Sequence, residues 1–192
     1  MVFVNTIGGI VHSVVDAFAG SANKNIGDAF LLVWKIPETE VEIDIEDNMF
    51  LSDTQLVRNY ADFALISFLK IYAKINRERS ILAYRENEKL RQRLPNYKVK
   101  MGYGLHVGWA IEGAIGSYYK IDASYLSPNV NMASRFEAAT KQYGVPLLFS
   151  GDLYNLFSTK TQEKCRLIDI VTVKGSVRPV EIYTVDMDVE DL

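Results

Sequence analysis

Two neighbouring features near residue 25 suggest metal or phosphate chemistry. Lys24 lies four residues before Asp28, and Gly27 precedes that aspartate directly. Glycine permits the tight turn that would present a carboxylate at its tip, and carboxylate oxygens are ligands that Mg²⁺ prefers. A Gly-Asp pair is also common in turns that bind nothing. The pair alone therefore leaves an ordinary turn open beside a metal site.

Two further positions carry cationic or amide groups suited to phosphate. Asn131 and Arg135 are four residues apart in a predicted helix, so they project from one face. An amide beside a guanidinium near a helix N-terminus suits an anion or developing phosphate charge, although a cap and a surface arginine would have the same pattern. Lys174, in a turn between two predicted strands, is a phosphate contact or a solvated lysine.

The composition excludes several classes of protein. The 192 residues contain 21 Lys+Arg and 24 Asp+Glu, a formal net charge of −3, with 48% hydrophobic residues, as in an ordinary globular domain. The negative charge argues against general nucleic-acid binding, which requires a basic surface. The single cysteine, Cys165, excludes a disulfide framework and a cysteine-rich zinc site. Two histidines, His12 and His106, leave little material for a histidine-based metal site.

No membrane-crossing segment is predicted. The most apolar long stretch, residues 61–75, is interrupted by Asp62, Lys70 and Lys74 and is shorter than the roughly 20 residues a bilayer requires. The apolar N-terminus lacks a basic start and contains Asp16, which favours an amphipathic helix over a signal peptide. We expect the domain to be intracellular and cytoplasmic, whether alone or as part of a larger, even membrane-bound, protein.

Helices and strands alternate along the chain and must position these residues. A capping-box pattern at Ser52 and Gln55 predicts the start of a long helix, Gly144 predicts the end of another, and Ser150 the start of a short one. Residues 36–49, with six acids, are predicted to be a solvated loop. The helices are predicted at 2–18, 53–76, 77–97, 131–143 and 152–158, and the strands at 25–34 (a hairpin), 99–107, 109–115, 146–150, 166–173 and 180–185. This order predicts one α+β domain, an α/β sandwich.

Four segments taken together resemble the class III adenylate/guanylate cyclase catalytic domain. They are NKNIGDAFLLVW (23–34), GLHVGWAIEGAIGS (104–117), YLSPNVNMASRFEAA (125–139) and RLIDIVTVKGSVRPVEIYTV (166–185). The resemblance spans about residues 1–186 and leaves 187–192 as an acidic tail. It implies a ferredoxin-like βαββαβ-type fold and conversion of ATP to 3′,5′-cyclic AMP and pyrophosphate in intracellular signalling.

The resemblance also implies roles for particular residues. Asp28 would hold the catalytic Mg²⁺ or Mn²⁺, of which the family uses two. Lys24 stands where adenylate-type members contact adenine and guanylate-specific members usually carry Glu. Ser124 stands at the second base-selecting position, where adenylate cyclases usually have Asp or Thr, and is compatible with adenine.

The remaining roles concern the ribose and the phosphates. Asn131 would orient the ribose, Arg135 would stabilise charge in the transition state, and Lys174 would bind the terminal phosphates. In this family the site lies between two catalytic domains, in a homodimer or heterodimer. Asp28 would come from one protomer, and the other site residues from its partner.

One departure from the family bears on activity. The family begins with a strand carrying a first metal aspartate in a Phe-x-Asp-Ile-x-x-Phe-Thr motif, and the 27 residues before Asp28 contain no such motif. We therefore expect an N-terminally incomplete domain that is weak or inactive as a cyclase by itself. Three alternatives stay open: a catalytically degenerate domain that binds nucleotide or a partner, a guanylate cyclase, and a ferredoxin-like RNA-binding module. The last is disfavoured by the negative charge and by the lone aromatic Trp109 in its strand segment.

Overall fold

The computed structural model describes residues 2–27, 29–46, 48–93, 99–172 and 178–187. Two predicted site residues, Asp28 and Lys174, lie outside the described residues, as does the expected acidic tail beyond residue 187. In the part that is described, no helix combines the length and the apolar character needed to span a bilayer.

Three helices of the described residues are long. Thr54 caps the helix Gln55–Arg77, and Ser127 caps the helix Pro128–Tyr143. The latter ends at Gly144, which is in the left-handed conformation with a φ of 68°. The α-helices are α1 (Val2–Ala17), α2 (Gln55–Arg77), α3 (Arg79–Leu82), α4 (Glu88–Arg93), α5 (Pro128–Tyr143), α6 (Gly151–Tyr154) and α7 (Thr159–Gln162), with 3₁₀ turns at Glu38–Glu40 and Ala83–Glu86.

The strands form one mixed sheet and three antiparallel ribbons. They are β1 (Ser21–Ile26), β2 (Ala29–Val33), β3 (Val41–Ile43), β4 (Met49–Leu51), β5 (Tyr103–Leu105), β6 (Ile111–Ser117), β7 (Lys120–Leu126), β8 (Leu147–Ser150), β9 (Cys165–Val171) and β10 (Val180–Val185). The sheet has the order β5-β8-β10-β9, and β5 runs parallel to β8. The ribbons pair β1 with β2, β3 with β4, and β6 with β7. The α+β fold class is confirmed.

The main core lies between helices α1 and α2 and one face of the sheet. Its most deeply buried members, each at most 2% exposed, are Val11, Val15, Leu65, Ile71, Leu147 and Phe149. The ring of Phe149 meets that of Phe157 edge to face, with centroids 5.4 Å apart. Burial of these side chains supplies the main driving force for folding.

Helix α5 covers the opposite face of the sheet. Its Phe136 packs with Leu148 of β8 and Ile182 of β10, all of them at most 2% exposed. Leu148 faces α5 while its neighbours in β8 face α1 and α2, as the alternation of a strand requires. The sheet is thus the middle layer of a sandwich.

Helix α5 approaches β5 so closely that Gly104 is essential at the contact. A Cβ atom on Gly104 would lie 2.1 Å from the carbonyl oxygen of Ala133 and 2.3 Å from the amide nitrogen of Glu137. Both are backbone atoms, so no side-chain rotation could relieve the clash. Any larger residue here must push α5 away from the sheet.

The prediction of a solvated loop at 36–49 was wrong. Residues within it form a 3₁₀ turn and the β3–β4 ribbon. The carboxylate of Asp44 closes the ribbon's turn by accepting hydrogen bonds from the amides of Glu46 at 2.8 Å and Asn48 at 2.9 Å. A polar, acidic stretch can therefore form a ribbon because Asp44 is a typical turn residue, whose carboxylate bonds to the backbone amide two residues on.

The predicted cap of α2 was also misplaced. Ser52 instead closes the β3–β4 ribbon, donating from its amide to the carbonyl of Glu40 at 2.9 Å and from its hydroxyl to Glu42 at 2.7 Å. Thr54 caps the helix, accepting a hydrogen bond from the amide of Val57 at 3.3 Å. The long polar helix predicted for 77–97 is broken, in its described part, into α3, a 3₁₀ turn and α4.

Three predictions around the second half of the chain also differ from the structure. The strand predicted at 99–107 is confined to β5, and the extension predicted at 109–115 lies at Ile111–Ser117. Strand β7 was not predicted, and α5 begins three residues earlier than expected because Ser127 provides the cap and Pro128 the first residue. The strand 180–185 was predicted correctly.

Replacing Gly104 by alanine should destabilise the protein, because α5 would have to move. We expect Gly104→Ala to lower the free energy of unfolding by about 1–3 kcal/mol or more, measured by urea denaturation. Gly9→Ala is the matched control, since Gly9 is at an exposed position of α1 and a Cβ there would meet nothing within 4 Å. It should raise stability by about 0.5–1 kcal/mol. Equal effects of the two variants would contradict the assigned contact.

Candidate functional site

A β-bulge in β1 determines where the candidate base-binding residues point. Ala22 lies opposite Leu32 and Lys24 opposite Leu31, so Asn23 is an extra residue in its strand. A bulge bends the strand and redirects the side chains beside it. Here Asn23 and Lys24 both contact strand β7.

The two predicted base-selecting residues are in direct contact. The Lys24 ammonium donates a hydrogen bond to the Ser124 hydroxyl, with an Nζ–Oγ distance of 2.5 Å. Ser124 is only 4% exposed, although most of the β6–β7 ribbon around it is exposed. Asn23 adds a longer bond from Nδ2 to the carbonyl oxygen of Ala123, at 3.4 Å. The fold thus joins residues that are 100 positions apart in the sequence.

A second link between the same two ribbons lies at the surface. Lys35, just after β2, pairs with Glu112 of β6 at 2.6 Å, and the Tyr125 hydroxyl donates to the same carboxylate at 3.0 Å. The hydrogen bond from Lys35 holds the pKa of Glu112 below its usual range, and Glu112 raises the pKa of Lys35 in return. Because both side chains are exposed, this pair adds little stability. It links the end of the β1–β2 ribbon to the β6–β7 ribbon.

One polar atom beside the lysine has no partner. The side-chain oxygen Oδ1 of Asn23 is buried and makes no hydrogen bond with the described residues. An unsatisfied buried acceptor costs about 1–3 kcal/mol.

Asn131 and Arg135 lie on α5 one turn apart, and both are exposed. The start of this helix is fixed by Ser127, whose hydroxyl donates to the carbonyl of Trp109 at 2.6 Å and accepts from the amide of Asn129 at 3.0 Å. Since β7 ends at Leu126, the strand that carries Ser124 leads directly into the helix that carries the amide and the guanidinium.

His106 makes contacts that the sequence did not reveal. It follows β5 and is partly buried, as expected for a packed residue, but both of its ring nitrogens have partners. Nδ1 lies 2.7 Å from Oγ of Ser150, and Nε2 lies 3.2 Å from Oδ1 of Asn129. Burial lowers the pKa of the imidazole below its usual range. The ring is therefore neutral at neutral pH and acts as a hydrogen-bonding connector.

Cys165 is not suited to nucleophilic chemistry. Its thiol donates to the carbonyl oxygen of Thr161 at 3.2 Å. Burial raises the pKa of the thiol to about 11, so it stays protonated at neutral pH, whereas a reactive cysteine requires the thiolate.

The structure thus places the predicted site residues in two groups. Lys24 and Ser124 form a hydrogen-bonded pair between two ribbons, and Asn131 and Arg135 share one face of α5. Across the described ranges, no three His, Cys, Asp or Glu side chains converge to hold a metal ion. Asp28, to which the resemblance assigns the metal, lies outside those ranges.

Comparison with known proteins identifies close similarity to one family. The profile of the adenylate and guanylate cyclase catalytic domain matches residues 1–187. An adenylate cyclase from Anabaena cylindrica is 28% identical over 184 residues, covering 95% of this chain and 31% of the relative. The chain therefore spans about a third of the length of that curated relative.

Solved structures share the fold. The adenylyl cyclase CyaB from P. aeruginosa superposes with a TM-score of 0.66 and 22% identity, over 99% of this chain and 83% of that chain. A bacterial light-regulated adenylyl cyclase gives a TM-score of 0.63 and 24% identity, over 96% and 43% of the two chains.

Proposed function

The chain belongs to the adenylate and guanylate cyclase catalytic domain family, and we propose that it converts ATP to 3′,5′-cyclic AMP and pyrophosphate. The observation that carries the choice of ATP is the hydrogen bond between Lys24 and Ser124. It sets a cationic donor and a hydroxyl side by side at a place where the buried oxygen of Asn23 has no partner.

The chemistry of this pair fits adenine better than guanine. A lysine ammonium has donors and no acceptor, and N1 of adenine is an acceptor. The Ser124 hydroxyl oxygen keeps a second lone pair after accepting from Lys24 and can accept a hydrogen bond from the N6 amino group. Guanine carries a hydrogen on N1, so a lysine aimed at that atom would bring two donors together.

The proposed reaction is an internal phosphoryl transfer. The ribose 3′-oxygen forms a bond to the α-phosphorus, the bond from that phosphorus to the oxygen of the β-phosphate breaks, and pyrophosphate leaves. The hydroxyl proton passes to water. Such reactions depend on positioning and charge compensation more than on covalent help from the protein.

Asn131 and Arg135 are assigned to these two tasks. An amide at Asn131 orients the ribose, and the Arg135 guanidinium stabilises the charge that develops on the α-phosphoryl oxygens. Their positions one turn apart on α5 allow one rigid element to hold both groups. Lys174 is assigned to the terminal phosphates on the resemblance alone.

Divalent metal ions are used generally in this family. When bound, they would lower the pKa of the attacking hydroxyl and neutralise the leaving group. We assign metal binding to Asp28 as a carboxylate of suitable chemistry. The described residues bring together no set of three metal-binding side chains.

The active form is proposed to be a dimer with shared sites. The β6–β7 ribbon exposes several apolar residues, among them Ile111 at 61%, Ile121 at 69% and Leu126 at 62%. Exposed apolar surface of this kind marks protein interfaces. Asp28 would serve one site with a partner's residues, whereas Lys24, Ser124, Asn131 and Arg135 would serve the other.

Replacing Lys24 by glutamate should weaken ATP binding, because a carboxylate would face an acceptor on adenine. We expect Lys24→Glu to raise the Kd of ATP about 10- to 100-fold while weakening GTP binding much less, as measured by calorimetry. Lys160→Glu makes the same charge change at an exposed position of α7 and should leave both constants unchanged. A parallel loss of ATP and GTP would contradict the base-selecting role.

Removing the guanidinium should impair turnover more than binding. Arg135→Ala is expected to lower kcat by about 10³-fold or more and to change the Kd of ATP only about twofold, because the charge develops in the transition state. Lys141→Ala, a charge removal on an exposed position of the same helix, is the control. Equal losses of turnover and affinity would show that Arg135 binds the ground state instead.

Shared sites can be tested by mixing inactive variants. Asp28→Ala and Asn131→Ala should each be inactive, and their mixed dimer should contain one intact site. Random exchange would restore about a quarter of the wild-type activity. Mixing Asn131→Ala with Arg135→Ala should restore nothing, because both residues belong to the same half-site. No recovery in a confirmed Asp28/Asn131 mixed dimer would contradict shared sites.

A further inference from the structure

The contacts of His106 define a polar cluster between three elements. The residue lies one position beyond β5, and its ring meets that of Phe136 in α5 edge to face, with centroids 5.9 Å apart. One ring nitrogen contacts Ser150 at the junction of β8 and α6, and the other contacts Asn129 in the first turn of α5. We call His106, Asn129 and Ser150 the histidine clamp.

The hydrogen bonds around the clamp determine which nitrogen carries the proton. Asn129 donates through Nδ2 to the carbonyl oxygen of Trp109 at 2.9 Å, so its Oδ1 is the acceptor that faces Nε2 of His106. Nε2 therefore carries the hydrogen. Nδ1 is then an acceptor for the hydroxyl of Ser150, whose oxygen also accepts from the amide of Leu153 at 3.3 Å.

This tautomer satisfies every group in the clamp. Ser150 is fully buried, so its hydroxyl hydrogen has no recourse to water. Asn129 is bonded at its amide nitrogen, its Nδ2 and its Oδ1. A network with all its members paired specifies one geometry, and a network that loses a member leaves a buried polar group unpaired.

The clamp lies at the base of the proposed catalytic helix. Asn129 is two residues before Asn131 and six before Arg135, within the same continuous α5. We propose that His106 is a positioning residue, which through Asn129 holds the first turn of α5 and so fixes the direction in which Asn131 and Arg135 are presented. The catalytic consequence rests on the proposed function, whereas the structural one does not.

The contact at Gly104 fixes α5 near Ala133 and Glu137, in the middle of the helix. At the N-terminal end, Ser127 and Asn129 both bond to the carbonyl of Trp109. The bond from His106 adds a contact from the end of β5 to the same turn, two residues before Asn131. Misplacement of reacting groups by about 1 Å can cost on the order of 100-fold in rate.

Two substitutions separate the halves of the clamp. Glutamine reaches the position of Nε2 and keeps a donor for Asn129, whereas asparagine reaches only the position of Nδ1 and keeps an acceptor for Ser150. We expect hydrogen exchange of the backbone amides of residues 129–131 to be about fivefold faster in His106→Asn, the cost of one lost hydrogen bond, and within about twofold of wild type in His106→Gln.

The two His106 variants should also differ in kcat, as they do in hydrogen exchange. His106→Asn is expected to lower kcat about tenfold with the Kd of ATP nearly unchanged, because the helix is misaligned while base binding at Lys24 and Ser124 persists. His106→Gln should retain most of the wild-type kcat. His12→Gln, at an exposed position of α1, controls for loss of a histidine as such.

A double-variant test adds a second criterion. Asn129→Ala should accelerate exchange more than His106→Asn does, because it also removes the bond to Trp109. Adding His106→Asn to Asn129→Ala should change exchange little further, since the bond between the two residues is already lost. Equal behaviour of His106→Asn and His106→Gln, or additive effects of His106→Asn and Asn129→Ala, would overturn the proposal. If the wild-type protein formed no cyclic AMP, the proposed function would fail, and the exchange data would still decide the clamp.

Discussion

The approach of α5 to β5 is the constraint on which the rest of the structure depends. Only a residue without a side chain fits at position 104, where backbone atoms of the helix lie 2.1 and 2.3 Å from the place of a Cβ. This contact sets the helix against the middle layer of the sandwich and buries Phe136 against β8 and β10. The placement of Asn131 and Arg135 follows from it, since both lie on the same helix.

The proposed base-binding pair depends on a different kind of constraint. Lys24 and Ser124 lie on two ribbons that are separate in hydrogen bonding from the central sheet. They meet because a bulge at Asn23 redirects the side chains of β1 toward β7. The ion pair of Lys35 and Glu112 also links the two ribbons, but it is exposed and contributes little stability. Helix α5 is thus packed against the central sheet, whereas Lys24 and Ser124 lie between two ribbons outside that sheet.

Much of this could be predicted from the sequence where local signals were strong. The apolar spacing of α1, the glycine that ends α5, the cap at Ser150 and the last strand were all found. Strand β7 was missed although polar and apolar residues alternate over 120–125. What establishes it as a strand is its pairing with β6, which a local pattern does not specify. The caps at Thr54 and Ser127 were missed because nearby polar residues compete for the same role. The partners of His106 are 23 and 44 residues away, beyond any local pattern.

We propose that this domain forms cyclic AMP and selects ATP through Lys24 and Ser124. The most direct test is product analysis with the full-length gene product and Mn²⁺ salts of ATP and GTP supplied in equal amounts. Cyclic AMP and pyrophosphate are expected in equimolar yield, well in excess of cyclic GMP. An excess of cyclic GMP would contradict the role of Lys24 and Ser124, and bound ATP without any cyclic product would contradict the proposed activity.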